Sequence, residues 1–402
     1  MSIADDSNDT MLFDMQYRNI DFQSLNRLPT EVVEIVIYLL CLCIGGPLNL
    51  ICFGRSFRLY VNGRKQRNQI LLLRLHLNIA DLLTIFIYTP SQIIWMTTFQ
   101  WYGCDTLCRI CKFFHTFNFY LNSFVIAVIA VDRAQGAYRI NNIEASKLAF
   151  RWVKCMLATS YIAAIIFSVP QIFIFRVYQP NENIEFRQCT PIWTIYAYKY
   201  DIQMRLTKTD QEKNLLTANF YQVLRLEKMY NITHLLLVFW IPTTIIAFSY
   251  MFVICKFNSM KRQNRHANRP LYNNYIISRI SRNKQYGNLS TDSGMVMTAV
   301  TSTGAHDISA GNDCSTATLE KAATIGPLAL QTLSKASKIA KRQAALTLIA
   351  YLALWSPYNM LAMMNTLTMP SENGEVIMDT LNFLNALIVV NPVVNPIIYG
   401  LF

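Results

Sequence analysis

Seven stretches of this sequence are each long and apolar enough to cross a lipid bilayer. A bilayer core of about 30 Å needs a helix of about 20 apolar residues. The stretches are Val33–Gly54, Ile70–Trp95, Leu107–Val131, Val153–Phe175, Tyr230–Cys255, Ala344–Leu367 and Val376–Leu401. The 402-residue length would otherwise suggest two or three soluble domains. Blocks this continuous exclude that, and only 15% of residues are charged, against about 25% in soluble domains. The expected fold is an all-α membrane protein, a bundle of seven transmembrane helices.

Charge sets the direction of the bundle. Basic residues in short loops stay on the cytoplasmic side. The first loop holds Arg55, Arg58, Arg64, Lys65 and Arg67, and the loop after span three holds Arg133, Arg139, Lys147, Arg151 and Lys154. Both are therefore cytoplasmic. The N-terminal stretch, with five aspartates from Asp5 to Asp21 against Arg18 and Arg27, lies outside. An odd number of spans then puts the C-terminus inside. The polar, acidic opening carries no secretory signal, so span one is expected to act as its own insertion signal. The net charge of +12 sits mostly in loops; it is a topology signal, and no nucleic-acid partner is expected.

Two loops are long: 176–228 outside and 256–342 inside. The middle of the inner loop, Asn283–Thr318, is rich in Ser, Thr, Gly and Asn, and such a composition buries too little surface to order itself. The loop's ends are basic, with Lys256, Lys261, Arg262 and Arg265 on one side and Lys335, Lys338, Lys341 and Arg342 on the other. They suit lipid headgroups and also a cytoplasmic partner.

Several residues are costly in lipid and so should face the bundle interior. Span two carries Asp81, span three Asn118 and Asn122 four residues apart, and span seven Asn391 and Asn395. Polar glue between helices is one reading. One carboxylate among four amides favours another, a hydrated cation pocket. Span three ends in Asp132-Arg133, and Cys108 stands 25 residues before Arg133, a helical rise of about 37 Å. Prolines interrupt spans two, four, five, six and seven at Pro90, Pro170, Pro242, Pro357 and Pro396, each able to kink a helix. Kinked helices around a polar middle suggest a bundle that moves. No inverted repeat and no regular arginines mark a transporter or voltage sensor.

These landmarks together resemble the rhodopsin-like (class A) G-protein-coupled receptors. The resemblance rests on Asn49 in span one, Leu77 and Asp81 in span two, and Asp132-Arg133 in span three. It continues with Pro242 and Tyr250 in span five, Trp355-Ser-Pro357 in span six and Asn395-Pro-Ile-Ile-Tyr399 in span seven. Within that class the chain looks most like the gonadotropin-releasing hormone and adipokinetic hormone receptors. That closer likeness rests on Pro90-Ser-Gln-Ile-Ile-Trp95, Phe99-Gln-Trp-Tyr-Gly103, Pro170-Gln-Ile-Phe-Ile-Phe-Arg176, Phe186-Arg-Gln-Cys189 and Tyr399-Gly-Leu-Phe402. The chain departs from those families at Gln92, where an acid is usual, and at His115, where mammalian relatives have lysine. It departs again at Tyr161, where span four usually has Trp, at Leu354, and at Ala134.

The resemblance implies a multi-pass plasma-membrane receptor for an extracellular peptide hormone, acting through a heterotrimeric G protein of Gq type; an unrelated neuropeptide is the alternative ligand. Residues 1–32 would be an extracellular tail and 33–402 the seven-transmembrane receptor domain. The implied ligand pocket is Gln92, Trp95, His115, Tyr358 and Asn359, with Trp101, Arg187 and Glu375 at its mouth. The implied activation switch is Asp132, Arg133, Tyr250, Trp355, Pro357, Asn395, Pro396 and Tyr399. A sodium ion, the one small-molecule cofactor expected, would sit among Asp81, Asn118, Asn122, Asn391 and Asn395. Cys108 would pair with Cys189, although Cys104 is left over and sequence alone allows it as the partner. Asn8, in Asn-Asp-Thr, is a glycosylation acceptor. The residues after Tyr399 carry no serine or threonine for phosphate, so weak arrestin recruitment is expected unless Ser278, Ser281, Ser290, Thr291 and Ser293 of the inner loop are phosphorylated instead. No Gly-x-Ser-x-Gly, His-Glu-x-x-His or zinc spacing occurs, so neither an enzyme nor a metal site is expected.

Overall fold

The computed structural model describes residues 29–62, 69–138, 145–180, 186–259, 262, 327–368 and 374–400. Within these, side chains are described for all but 29, 145–147, 327–341, 374–379, 399 and 400. Asn8, most of the N-terminal tail and the middle of the inner loop therefore lie outside the described residues, as do the side chains of Glu375 and Tyr399.

Among the described residues, seven helices are long and apolar enough to cross a membrane. They are Thr30–Asn62, Gln69–Thr98, Asp105–Tyr138, Leu148–Ile174, Asp210–Ser259, Arg342–Leu367 and Thr380–Ile398, and they are numbered spans one to seven. The chain divides into two compact units, Met1–Val253 with Lys338–Phe402, and Ile254–Ser337. In the first, large apolar side chains such as Ile51, Ile162, Phe173 and Ile349 point outward and are more than half exposed. The polar residues of the spans, Asn49, Asp81, Asn118, Asn122, Asn391 and Asn395, are buried inside. That is the arrangement hydrocarbon solvent selects, since a polar group facing lipid has no partner. Span three is the axis of the bundle: 72% of its apolar window is buried, against 22–50% in the others.

Prolines shape the spans in a regular way. Wide π-helical turns occur at Cys41–Gly45, Thr84–Tyr88 and Leu236–Trp240. Each ends two residues before a proline: Pro47, Pro90 and Pro242. A proline ring crowds the carbonyl four residues earlier and offers it no N–H. Those carbonyls belong to Cys43, Phe86 and Val238, the centre of each wide turn, where an extra residue per turn relieves the clash. Pro357 lies inside the helix Pro327–Leu367. Span four pauses at Val169 and resumes as Pro170–Ile174. Span seven corrects the sequence reading. Pro396 sits within the helix Asn391–Gly400, and the interruption falls at Val389 and Val390, after Gly374–Ile388. The cause is Pro392, which cannot donate to the Ile388 carbonyl.

The outer loop 176–228 is largely built structure. Strand β1, Phe175–Tyr178, pairs antiparallel with β2, Gln188–Pro191, with Val177 opposite Cys189. A loop helix, Ile192–Leu206, follows. Span five then begins at Asp210, about 20 residues before its membrane entry near Tyr230, a rise of about 30 Å. This extension carries Asp210, Glu212, Lys213, Arg225, Glu227 and Lys228 and so belongs in water. The loop helix packs along it: Tyr200 stacks on Phe220 at 4.1 Å between ring centroids, and its hydroxyl is 3.3 Å from Thr217 Oγ1.

Candidate functional site

The outer end of span three is pinned to the hairpin by a disulfide between Cys108 and Cys189, with Cα atoms 5.7 Å apart. Cys104 is free and exposed, which decides between the two partners left open by the sequence. A second anchor lies alongside. Asp105 Oδ1 accepts the Val177 N–H at 2.8 Å, and Arg109 donates to Asp105 Oδ2 at 2.6 Å and to the Ile172 carbonyl at 3.1 Å. Span two ends at Phe99, a non-glycine residue in the left-handed region with φ 58°. That conformation costs about 1–3 kcal/mol. It is held from outside by the Gln188 side chain, whose Nε2 donates to the Phe99 carbonyl at 2.5 Å.

Beneath this cap a cavity of about 470 Å³ opens among spans one, two, three and seven. Glu31, Glu34 and Tyr38 form one wall; Gln92, Trp95, Met96 and Phe99 form another; Lys112, Asn382 and Asn385 complete it. Of the residues expected from sequence, Gln92 and Trp95 line the cavity. Trp101 packs edge-to-face on Trp95 at 6.1 Å, and its backbone N–H donates to the Arg187 carbonyl at 2.8 Å, so both border the mouth. His115 lies deeper and is only 6% exposed. Its Nε2 is 2.6 Å from Ser91 Oγ, and its ring packs edge-to-face on Tyr88 at 4.7 Å. Tyr358 and Asn359 do not line this cavity. Asn359 Nδ2 donates to the Trp355 carbonyl at 2.8 Å, and Tyr358 packs against the cluster of Leu235, Ala362 and Leu381.

Lys112, Glu31, Glu34, Asn382 and Asn385 were not in the pocket read from sequence. A signal existed for Lys112: it is a charge inside an apolar run, three residues before His115 and so on the same helix face. Its Nζ stands 3.9 Å from the Trp95 ring centroid and 4.9 Å from that of Phe175.

From the cavity-lining Asn385 a chain of rings descends. The Tyr88 hydroxyl accepts from Asn385 Nδ2 at 2.8 Å. Tyr88 touches Phe119 at 4.9 Å, Phe119 meets Trp355 edge-to-face at 5.8 Å, and Trp355 lies on Tyr351 at 5.0 Å. The Tyr351 hydroxyl donates to Ser123 Oγ at 3.0 Å. Close-packed rings transmit strain, so displacement of one is felt by the next.

The polar middle lies level with this chain in sequence depth. Asn395 Nδ2 donates to both Asp81 oxygens at 3.1 and 3.0 Å, and Asn122 also hydrogen-bonds Asp81. Asn118 Nδ2 donates to Thr84 Oγ1 at 2.6 Å. Asn49 ties three spans, donating to the Gly45 and Pro392 carbonyls at 2.9 and 2.8 Å and accepting from Asn78 at 3.0 Å. The buried carbonyl oxygens of Asn118, Asn122, Asn391 and Asn395 have no hydrogen-bond partner among the described residues. Buried orphan oxygens are rare in native proteins. Oxygens of this kind, with the Asp81 carboxylate held by Asn395 and Asn122, are the donor type a hard cation takes.

At the cytoplasmic end Arg133 pairs with Asp132, and its guanidinium lies near the Tyr250 hydroxyl. Arg74 of span two donates to Gln343 Oε1 of span six, and Gln343 Nε2 donates to the Ile398 carbonyl of span seven at 3.4 Å. Arg74, Arg133, Gln343 and Thr347 all line one small void of about 20 Å³. The Arg74–Gln343 contact was absent from the sequence reading.

The family profile described as 7 transmembrane receptor (rhodopsin family) matches residues 58–399. The chain is 28% identical to G-protein coupled receptor daf-38 of Caenorhabditis elegans over 93% of this chain and 89% of that protein. It is 26% identical to the gonadotropin-releasing hormone receptor of Octopus vulgaris over 56% of this chain and 49% of the relative. It is 33% identical to cephalotocin receptor 2 of the same animal over 34% and 32%.

Proposed function

Because this chain belongs to the rhodopsin family of seven-transmembrane receptors, and so is a multi-pass plasma-membrane receptor rather than an enzyme, we propose that it transduces an extracellular peptide signal to a heterotrimeric G protein of Gq type. The observation that carries the reading is the ring path from Tyr88, which accepts a hydrogen bond from Asn385 of the cavity lining, through Phe119, to Trp355 of span six. Receptors named for gonadotropin-releasing hormone and for cephalotocin stand among its relatives, which supports a peptide ligand of one of those two kinds.

A peptide end in the cavity touches Gln92, Trp95 and Lys112. It moves the Tyr88 ring, and with it Phe119 and Trp355. A ligand shifts the balance of two packings only by binding one of them better. The favoured packing is the one in which span six leaves Arg74 and the Ile398 carbonyl and uncovers Arg133. Asp81, Asn118, Asn122, Asn391 and Asn395 would hold a sodium ion, which supplies a positive charge to the buried carboxylate when bound. The ion favours the closed packing, so peptide and sodium oppose each other by linkage.

The test is a panel of amidated neuropeptides of the gonadotropin-releasing hormone, adipokinetic hormone and cephalotocin types, applied to cells expressing the chain and read by calcium release. A response from one class, abolished by Arg133→Ala at equal surface level, is the expected outcome. Silence across the panel, with the receptor at the surface and the Gq pathway responsive to a control receptor, would sink the peptide–Gq reading.

A further inference from the structure

At the cytoplasmic end, two arginines border one small void. Arg74 comes from span two and Arg133 from span three; Gln343 and Thr347 of span six close the far side, and apolar side chains make up the rest. The volume of about 20 Å³ exceeds the roughly 10–15 Å³ that one water-sized occupant needs. An arginine five residues into a span can reach out to the headgroups. Arg74 instead reaches across to Gln343, which meets it with a neutral amide oxygen. The Thr347 hydroxyl donates to the Gln343 carbonyl at 3.0 Å. The nearby acid, Asp132, pairs with Arg133 but does not line the void. Whatever else each guanidinium touches, both can only donate and both stay charged. One donor is left over: the buried Arg133 Nε–H has no hydrogen-bond partner among the described residues.

We propose that this void is a binding site for one small monovalent anion, such as chloride, between Arg74 and Arg133 and under span six. The anion gives the orphan Nε–H an acceptor. It also stands beside two like charges, whose repulsion is strongest where water is excluded. A water molecule supplies the acceptor without the charge. A carboxylate or phosphate group has several heavy atoms and exceeds a space for one. Three spans build the site, and span six is one wall of it. Departure of span six therefore dismantles it, so the anion favours the closed packing and by linkage opposes activation. That consequence rests on the two-packing reading given above; the binding itself does not.

The probe is chloride itself. The purified full chain in nanodiscs is melted in mixtures of sodium chloride and sodium gluconate at one fixed sodium concentration, so any sodium effect is constant. Gluconate, a six-carbon anion, is too large for the void. Chloride is expected to raise the melting temperature by about 1–3 °C for each tenfold rise in its concentration above the dissociation constant. Arg74→Gln removes one cation and should erase the shift. Thr347→Leu fills the space while keeping both arginines, and should erase it too. Gln343→Glu sets a fixed carboxylate against Arg74, so it should lose the chloride response yet melt in gluconate no lower than the parent. A damaged fold cannot mimic that last combination. Equal melting of the parent in both salts, the result of a water alone, would overturn the proposal. So would a chloride shift that survives in both Thr347→Leu and Gln343→Glu. Ligand-free nucleotide exchange on purified Gq, corrected for the G protein alone in each salt, should be slower in chloride for the parent and equal in both salts for Gln343→Glu. A melting shift with no effect on exchange would sink the two-packing reading and leave the anion site standing.

Discussion

Asp81 and its amides concentrate the chemistry of the bundle in a few buried atoms. On the proposed reading, the orphan oxygens of Asn118, Asn122, Asn391 and Asn395 and the Asp81 carboxylate would be completed by a sodium ion. Binding of an ion to the folded state stabilises it by mass action, about 1.4 kcal/mol for each tenfold of sodium above the dissociation constant. The purified chain should melt at a higher temperature in sodium than in an equal concentration of N-methylglucamine, and Asp81→Asn should erase the difference. A sodium effect that survives Asp81→Asn would place the ion elsewhere. Tyr161 makes a smaller point of the same kind. It stands where span four of related receptors has Trp, and the structure shows what accompanies it: His76 of span two, whose Nδ1 is 3.0 Å from the Tyr161 hydroxyl, with the rings edge-to-face. Tyr161→Phe should therefore cost about 1 kcal/mol, seen as a lowered melting temperature. In a His76→Phe background the same change should cost much less, and equal losses in both backgrounds would deny the pairing.

The hairpin over the cavity is held to span three twice, by the disulfide and by Asp105. Loss of a native disulfide costs about 2–5 kcal/mol. Cys108→Ala and Cys189→Ala should each lower the melting temperature and surface level strongly, and Cys104→Ala hardly at all. Comparable losses from all three would contradict the pairing. The spans themselves were legible because hydropathy in lipid is a strong, local signal, and so were Asp81 and Asn395, since buried polar groups stand out in apolar runs. The rest was hidden for identifiable reasons. The extension of span five is polar, so a search for apolar length stopped at Tyr230. The break in span seven depends on which of Pro392 and Pro396 faces a carbonyl it cannot satisfy, and spacing alone does not say. The cavity's acidic wall comes from Glu31 and Glu34, which in sequence look like the polar edge of a tail. Tyr358 and Asn359 share span six with Trp355, but the cavity opens toward spans one and seven instead. The wide turns before Pro47, Pro90 and Pro242 are likewise a three-dimensional answer to a local clash. Pro242→Ala removes its cause, so span five should regain ordinary helical winding at Leu236–Trp240. A structure of that variant with the wide turn unchanged would refute the explanation.

At the scale of the whole molecule, the proposed function is a balance between two packings of one bundle. Gln343 bridges Arg74 of span two and the Ile398 carbonyl of span seven at the cytoplasmic end, and in the proposal these contacts hold the closed packing. Loss of Gln343 removes about 1–2 kcal/mol from the closed side, a change of about five- to thirtyfold in the population ratio. Gln343→Ala should raise ligand-free nucleotide exchange on the G protein, whereas Gln343→Glu, which keeps an acceptor for Arg74, should lower it below the parent. No change in either variant at matched receptor level would remove Gln343 from the switch. In the proposed mechanism, occupancy of the outer cavity is felt at Arg133 through the ring path. The most direct measurement is nucleotide exchange on purified Gq by the receptor in nanodiscs, titrated with the neuropeptide panel, in the parent chain and in Phe119→Ala. The account predicts a peptide-dependent rise in exchange that Phe119→Ala abolishes while peptide binding persists. Exchange that responds equally in both proteins, or never responds to bound peptide, would contradict it.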